Sequence, residues 1–336
     1  MKNKKVLIVL LLVIITLTGC TKQLKDEKNN VVKNEETGQV LPSNILCKPS
    51  DDIYNIYIEN NISKKEYLKK EYKKGNISKK DYNSDIKDID NYSKYLNDLP
   101  ICSKFSVTSG KYEGIWTSIF VKPLAWVIIQ IGNIFKNYGI AVIITTLLIR
   151  LILCPVTIKT AKQSENMKNA QPELQKLEKK YQNKQDQQSL TMKSQEMMAI
   201  YKKYNISPLS GCLFAFLQIP LFFAFYEALY RLPAIFEDKL LGFELATTPW
   251  IGILNGKYLY LILPILVLLV TYFSFKQNQN TGAGAQEKQM KMMLNVMTFV
   301  IFVTSFSMST AIVLYWITNS GFTIIQNLIV KRSIKK

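Results

Sequence analysis

The chain has 336 residues, 48% of them hydrophobic, and a formal net charge of +18 that comes almost wholly from lysine, since Arg150, Arg231 and Arg332 are its only arginines. It has no histidine, which removes the commonest general base and the commonest metal ligand and sets enzyme readings at a disadvantage. Its apolar residues fall in long runs separated by lysine-rich stretches, the pattern of a membrane protein, and no catalytic, metal or cofactor site is expected.

Residues 1–20, MKNKKVLIVLLLVIITLTGC, join a lysine-bearing start, an apolar run from Val6 to Leu17 and small residues before a cysteine, which together form a secretory signal. The LTGC ending resembles the lipobox of bacterial lipoproteins. That resemblance implies a signal peptide over 1–19, cleavage before Cys20 and lipid attached to Cys20; the alternative is an uncleaved anchor. Either way, the residues after Cys20 are expected to be exported.

Residues 20–113 read as an exported polar linker or small helical module, rich in Lys, Asn, Asp and Tyr. The stretch NISKKEY at 61–67 returns fifteen residues later as NISKKDY at 76–82, with Gly75 just before the second copy. Ser63 and Ser78 each precede an acidic residue by three positions, so each predicts a capping box. Two short helices joined at Gly75 follow, with Tyr67, Leu68 and Tyr72 on one face. A docking module and a spacer both fit, and the spacer is the simpler reading. Cys47 and Cys102 both lie in this region, where an oxidising compartment permits a disulfide. Cys154 and Cys212 lie in or beside apolar runs and read as small buried hydrophobes.

Residues 114–136 are apolar but broken by Lys122 and Pro123 and carry Trp116 and Trp126, which predicts an interfacial amphipathic helix rather than a span. Five apolar segments follow, at 139–158, 209–230, 258–275, 292–307 and 310–330. Each is near the length that crosses ~30 Å of hydrocarbon at ~1.5 Å per residue, and the fourth is short. The loop at 159–207 holds ten lysines, whereas the loop after the second segment holds only Arg231, Lys239 and Lys257. The positive-inside rule therefore makes the long loop, the loop after the third segment and the tail at 333–336 cytoplasmic. That places the start of the first span outside, as an exported N-terminal region demands.

Within the long loop, Met167, Ala170, Leu174, Leu177 and Tyr181 recur at alternating three and four. Met197, Tyr201 and Tyr204 repeat the pattern after KQDQQS, which predicts a cytoplasmic helical hairpin over 159–207. Eight of the ten methionines lie on it or at the start of the fourth segment (Met167, Met192, Met197, Met198, Met290, Met292, Met293, Met297). Such side chains suit a surface that accepts many apolar sequences, and they serve equally as packing filler. The expected class is an all-α membrane protein with five transmembrane helices, an interfacial helix and a cytoplasmic hairpin.

Arg150 lies inside the first span, nine residues before Lys159 and fourteen after Lys136. At helical rise the cytoplasmic end is about 13 Å away, beyond the reach of snorkelling. An ionised group at that depth costs at least ~2.5 kcal/mol, so it requires water, a polar pocket or a counter-charge. No carboxylate sits mid-span elsewhere, Glu227 lying toward the outer end of the second span. A hydrated groove is therefore the preferred expectation over a guanidinium satisfied by carbonyls and hydroxyls in a closed bundle. Thr146 and Thr157 share the face of Arg150, Gln218 sits in the second span, and Asn319 or Ser320, Thr323 and Gln326 share a face of the fifth with Trp316. Taken singly, each of these is ordinary interhelical glue. Only together with Arg150 do they suggest a lined groove.

Three stretches carry a family resemblance: NYGIAVIITTLLIRLILCPVTIKTAKQSENMKNAQPELQKLEKKY at 137–181, YKKYNISPLSGCLFAFLQIPLFFAFYEAL at 201–229 and LYWITNSGFTIIQNLIVKR at 314–332. They resemble the YidC/Oxa1/Alb3 insertase family, in particular its five-span lipoprotein-type members, over 114–332. The resemblance implies a membrane protein insertase and chaperone, not an enzyme, with its core at 137–332. In such a protein Arg150 sits in a hydrophilic groove open to the cytoplasm and to lipid, with Gln218 and Trp316 as further groove residues. The implied partners are nascent membrane proteins and the lipid bilayer, with the Sec translocon and the ribosome as further partners and no recognition of nucleic acid by sequence. The implied location is the bacterial cell membrane, with a lipid-anchored N-terminus on the outer face and a cytoplasmic C-terminus. Two features depart from the pattern: the region from Cys20 to about Gly110 is longer than a minimal linker, and the tail lacks the extended basic ribosome-binding segment of some relatives. The rival reading is a polytopic transporter or channel subunit with a buried arginine at its substrate site, for which paired broken helices or an internal repeat of spans would be the mark.

Overall fold

The computed structural model describes residues 21–184, 186–207, 210–278 and 285–335. The expected signal peptide, Cys20 and its lipid, and the side chains of Cys212 and Met290 lie outside the described residues. The elements run α1 (Asp51–Lys73), α2 (Lys79–Asn97), α3 (Lys122–Phe135), α4 (Tyr138–Lys180), α5 (Gln187–Lys203) and α6 (Ser210–Arg231). They continue with α7 (Pro233–Phe236), the strands β1 (Lys239–Leu240) and β2 (Phe243–Glu244), α8 (Pro249–Leu254), α9 (Ile262–Asn278), α10 (Ala285–Ser305) and α11 (Thr310–Lys335). The described chain is thus mainly helical, with almost no sheet. It divides into two compact units, one comprising the chain up to Thr145 with Phe222–Lys257 and Ser309–Ile312, the other Thr146–Leu221, Tyr258–Met308 and Val313–Lys336.

In the first unit, α1 starts at Asp51 and Asp52, whose carboxylates suit the positive end of a helix, and runs unbroken through Ser63. The helix start expected at Ser63 does not form, because nothing before Ser63 interrupts the helix. Before the second copy of the repeat, Gly75 adopts φ +77°, a left-handed conformation that ends α1 without a Cβ penalty. Here half of the capping box forms: Ser78 Oγ accepts from Asp81 N at 3.1 Å, while the Asp81 carboxylate meets the Ser78 hydroxyl, at 2.7 Å, rather than its backbone N–H. The rings of Tyr72 and Tyr82 stack across the joint at 4.7 Å. A disulfide joins Cys47 to Cys102, with Cα atoms 4.8 Å apart. The Tyr57 hydroxyl donates to Pro42 O at 2.9 Å and that of Tyr95 to Ile45 O.

A π-type turn at Thr117–Val121 leads into α3. Lys122 and Pro123, read from sequence as interruptions, follow directly on this wider turn, whose last bond runs from Lys122 N–H to Thr117 O, and the helix carries on through the proline that lacks a donor. The Lys122 ammonium is held by Ser109 O at 2.6 Å and Lys111 O at 3.1 Å. Thr117–Phe135 is consequently a continuous helical stretch of 19 residues, long and apolar enough to cross a membrane. Asn137 begins α4, its Oδ1 accepting from Ile140 N at 2.9 Å while its Nδ2 donates to Lys239 O at 2.8 Å. A Cβ at Gly139 would stand 2.6 Å from Leu240 Cβ, so this close approach to the β1–β2 hairpin requires glycine.

In the second unit α4 continues as one 43-residue helix through Pro155 and Pro172. The first apolar segment and the first arm of the expected hairpin are thus one helix; each proline removes one backbone donor, and Thr157 Oγ1 donates to Leu153 O and Cys154 O, both at 3.2 Å. The last turns of α4 pack on α5 through Met167, Ala170 and Leu174, with Met197, Ile200, Tyr201 and Tyr204 around them. Ion pairs flank the contact: Lys180 with Glu196 at 2.7 Å, Lys193 with Glu178 at 2.9 Å and Lys203 with Glu173 at 2.5 Å. Besides Thr117–Phe135, the helices long and apolar enough to cross a membrane are Tyr138–Lys180, Tyr258–Gln277 and Thr310–Ser333. Lys291–Ser305 is apolar but shorter, and α6, covering the second predicted segment, has 22 residues.

Candidate functional site

On α4, Thr146, Arg150 and Thr157 lie along one stripe, and on α11 Tyr315, Asn319, Thr323 and Gln326 do the same, because residues three or four apart share a helix face. The structure brings the two stripes together with α6. Arg150 Nε donates to Asn319 Oδ1 at 2.5 Å and Nη2 to Gln218 Oε1 at 2.7 Å. Gln218 Nε2 donates in turn to the Tyr315 hydroxyl at 3.4 Å. One turn further, the Thr323 hydroxyl donates to Asn319 O at 3.0 Å, and Gln326 Nε2 to Thr157 Oγ1 at 2.7 Å. Thr146, Arg150, Thr157, Asn319, Thr323 and Gln326 are all buried, which makes a continuous polar seam.

Arg150 itself is only 2% exposed. The sequence favours a guanidinium standing in water, whereas here the amides of Asn319 and Gln218 close over it. Its partners are neutral, and no carboxylate among the described residues pairs with it. A guanidinium carries five N–H donors, so two hydrogen bonds leave three without an acceptor among the described residues. The positive charge is solvated but not neutralised.

Arg231, in the other unit, shows the opposite solution. It is fully buried, and its Nη1 and Nη2 bind Glu227 at 2.8 Å and Glu113 at 2.6 Å, while Nε donates to Asn44 O at 2.6 Å. Glu227 also accepts from Trp116 Nε1 at 3.0 Å. Two carboxylates claim that charge completely, the arrangement expected where an arginine serves structure alone.

Trp316 does not join the Arg150 cluster. It lies one residue past Tyr315, about 100° around the helix, and its indole N–H donates to Thr271 Oγ1 on α9 at 2.9 Å. Sequence reasoning also misses Tyr315, although its place four residues before Asn319 could have found it. Thr271, a lone threonine in an apolar run, carries no such signal. Among the described residues no group of three or more acidic or cysteine side chains could hold a metal ion.

A mainly helical chain with several membrane-length apolar helices and an amide-held arginine among them defines a multi-pass membrane protein. The family model of the 60Kd inner membrane protein matches residues 130–336. The membrane protein insertase YidC of Oceanobacillus iheyensis is 37% identical over 222 residues, covering 66% of this chain and 85% of that relative. The membrane protein insertase MisCA of Bacillus subtilis is 36% identical over 217 residues, 64% of this chain and 79% of the relative. The membrane protein insertase YidC 2 of Listeria innocua is 33% identical over 223 residues, 66% and 74% respectively. The chain belongs to the 60Kd inner membrane protein family, the YidC/Oxa1 family that its motifs resemble.

Proposed function

We propose that this protein is a membrane protein insertase and chaperone that admits nascent integral membrane proteins through a polar groove whose centre is Arg150. The observation that carries the reading is the unclaimed charge of Arg150, held by two amide oxygens while Arg231 is locked by two carboxylates. Amide oxygens hold a guanidinium less strongly than a carboxylate does. An acidic flank of a client therefore displaces Asn319 and Gln218, and the seam of Thr146, Thr157, Thr323 and Gln326 offers hydrogen bonds to the polar residues that follow. The apolar part of the client then passes into lipid, at ~25 cal/mol per Å² of buried apolar surface. No nucleotide is hydrolysed in this scheme.

The same reading sets five spans and an interfacial helix. Were Thr117–Phe135 a sixth crossing after an exported N-terminal region, the ten-lysine stretch at 159–207 would face outward, against the positive-inside rule. It is accordingly assigned to the interface, with α6 and Lys291–Ser305 among the spans. The α4–α5 pair is the cytoplasmic hairpin that first meets a client. Met192, Met198, Met292, Met293 and Met297 are exposed and adaptable, whereas Met167 is core packing. Lipid on Cys20 anchors the outer end, and the Sec translocon and ribosome are assigned as collaborators rather than requirements.

The test compares Arg150→Ala with Arg150→Lys in vesicles, using single-span clients with acidic or neutral exported flanks. Arg150→Ala should slow the acidic-flank client selectively, and Arg150→Lys should retain much of the activity. Equal insertion of both clients by Arg150→Ala would remove Arg150 from the mechanism.

A further inference from the structure

Beyond the polar seam, the second unit holds a cavity of about 380 Å³ where α4 passes the last turns of α9 and α11. Ala161, Ser164, Glu165 and Lys168 present one face of α4 to it, and Lys276, Gln277, Asn327 and Lys331 are among the residues that complete its lining. By volume it has room for roughly a dozen waters. Glu165 is engaged by Lys168 at 3.0 Å, while Lys276 and Lys331 have no carboxylate partner among the described residues. A single lysine in the last turn of α9 would be accounted for by the helix terminus. Lys276 lies over the Tyr272 ring at 5.4 Å, and its ammonium and that of Lys331 stand at one cavity with no carboxylate among the described residues to neutralise either.

Two buried polar atoms in the lining lack a hydrogen-bond partner: Asn327 Nδ2, a donor, and Gln277 Oε1, an acceptor. The cavity thus offers positive charge and an amide N–H to an anion, and a carbonyl oxygen to a hydroxyl. Phe273 and Leu328 in its lining are exposed apolar side chains, a surface suited to acyl chains.

We infer that this cavity binds the headgroup of an anionic phospholipid with a polyol headgroup, of the phosphatidylglycerol type. The phosphate lies with Lys276, Lys331 and Asn327, the headgroup hydroxyl with Gln277, and the acyl chains along Phe273 and Leu328. Basic pockets between spans on the cytoplasmic side are suited to such headgroups; the assignment to the inner leaflet rests on the membrane orientation proposed above. Charge complementarity favours a phosphodiester that bears an uncharged polyol over one that bears an ammonium, which would meet the lysines.

The test uses the full-length chain in detergent, with native mass spectrometry of retained lipid after exchange against equimolar phosphatidylglycerol and phosphatidylethanolamine. Wild type should retain phosphatidylglycerol selectively, and Lys276→Gln/Lys331→Gln should lose roughly tenfold or more of that retention. Lys276→Arg/Lys331→Arg should keep it, which separates loss of charge from loss of fold. Inorganic phosphate at millimolar concentration should not compete. Equal retention of both lipids, retention unchanged in the glutamine variant, or full competition by inorganic phosphate would each overturn the site. Competition by a soluble acidic peptide would reassign the cavity to clients and overturn it likewise. Selective retention by a protein that inserts no client in vesicles would uphold the site while removing the insertase reading.

Discussion

Exchanging Asn319 for aspartate is nearly isosteric and puts a carboxylate oxygen where the amide Oδ1 now stands 2.5 Å from Arg150 Nε. If Arg150 acts because its charge is unclaimed, this one substitution should disable it without touching the arginine. Two unit charges 4 Å apart attract by about 4 kcal/mol at an effective dielectric constant near 20, and desolvation of the new carboxylate offsets part of that. The bond to Asn319 already has a charged donor, so what the substitution adds is the part of the Coulomb attraction that survives desolvation, and a client must displace roughly 1–2 kcal/mol more. At ~1.4 kcal/mol per tenfold, insertion of an acidic-flank client should fall about 5- to 30-fold. Protease protection of a single-span client in vesicles reads the effect, with a neutral-flank client as control, and the thermal midpoint of the variant should be unchanged or raised. Wild-type insertion of the acidic-flank client by a stable Asn319→Asp protein would refute the reasoning.

Three further outcomes are expected. Cys47→Ser/Cys102→Ser opens a loop of 55 residues and should destabilise the N-terminal region by ~4 kcal/mol on the chain-entropy model, seen as new proteolytic cleavage between residues 47 and 102 of the full chain. Arg231→Ala leaves Glu113 and Glu227 without their cation and should cost ~3–5 kcal/mol in thermal unfolding; adding Glu113→Gln and Glu227→Gln should restore most of it. The Lys180 ammonium and the Tyr181 hydroxyl hold the Glu196 carboxyl below its ordinary range, so this contact contributes above that range and is lost as pH falls through the lowered value. A spin-label pair across α4 and α5 should therefore report widening only at a pH below the ordinary carboxylate range; widening near neutrality would contradict the assignment.

Much of the architecture follows from local pattern. Apolar runs mark the positions of α4, α6, α9, α10 and α11, and the three-and-four spacing of Met167, Ala170 and Leu174 marks the face of α4 that α5 covers. Helical periodicity places Asn319, and its polar character within an apolar run together with the family resemblance places Gln218, among the candidates that prove to hold Arg150. What periodicity does not give is the neighbour a side chain chooses. Trp316 and Tyr315 are adjacent in sequence, yet one turns to Thr271 and the other joins the Arg150 cluster. Nor does it give closure: a stranded charge requires solvation, and amides supply it as water would, so enclosure was not legible from Arg150 alone. Local signals also mislead where context overrides them. Ser63 carries the same capping pattern as Ser78 but lies mid-helix because no residue like Gly75 precedes it, and Pro123 reads as a break in a helical stretch that in fact runs through it from Thr117 to Phe135. The disulfide was permitted by compartment, but its pairing depended on folding that brings Cys47 to Cys102.

The most direct test of an insertase centred on an unclaimed arginine is reconstitution of the purified chain alone into vesicles, with a single-span client bearing an acidic exported flank supplied from outside without nucleotide. Wild type should render the flank protease-protected well above the level of empty vesicles, and Arg150→Ala should lose most of that protection. A client that stays as digestible with wild type as with empty vesicles would contradict the function, and full protection by Arg150→Ala would contradict its proposed centre.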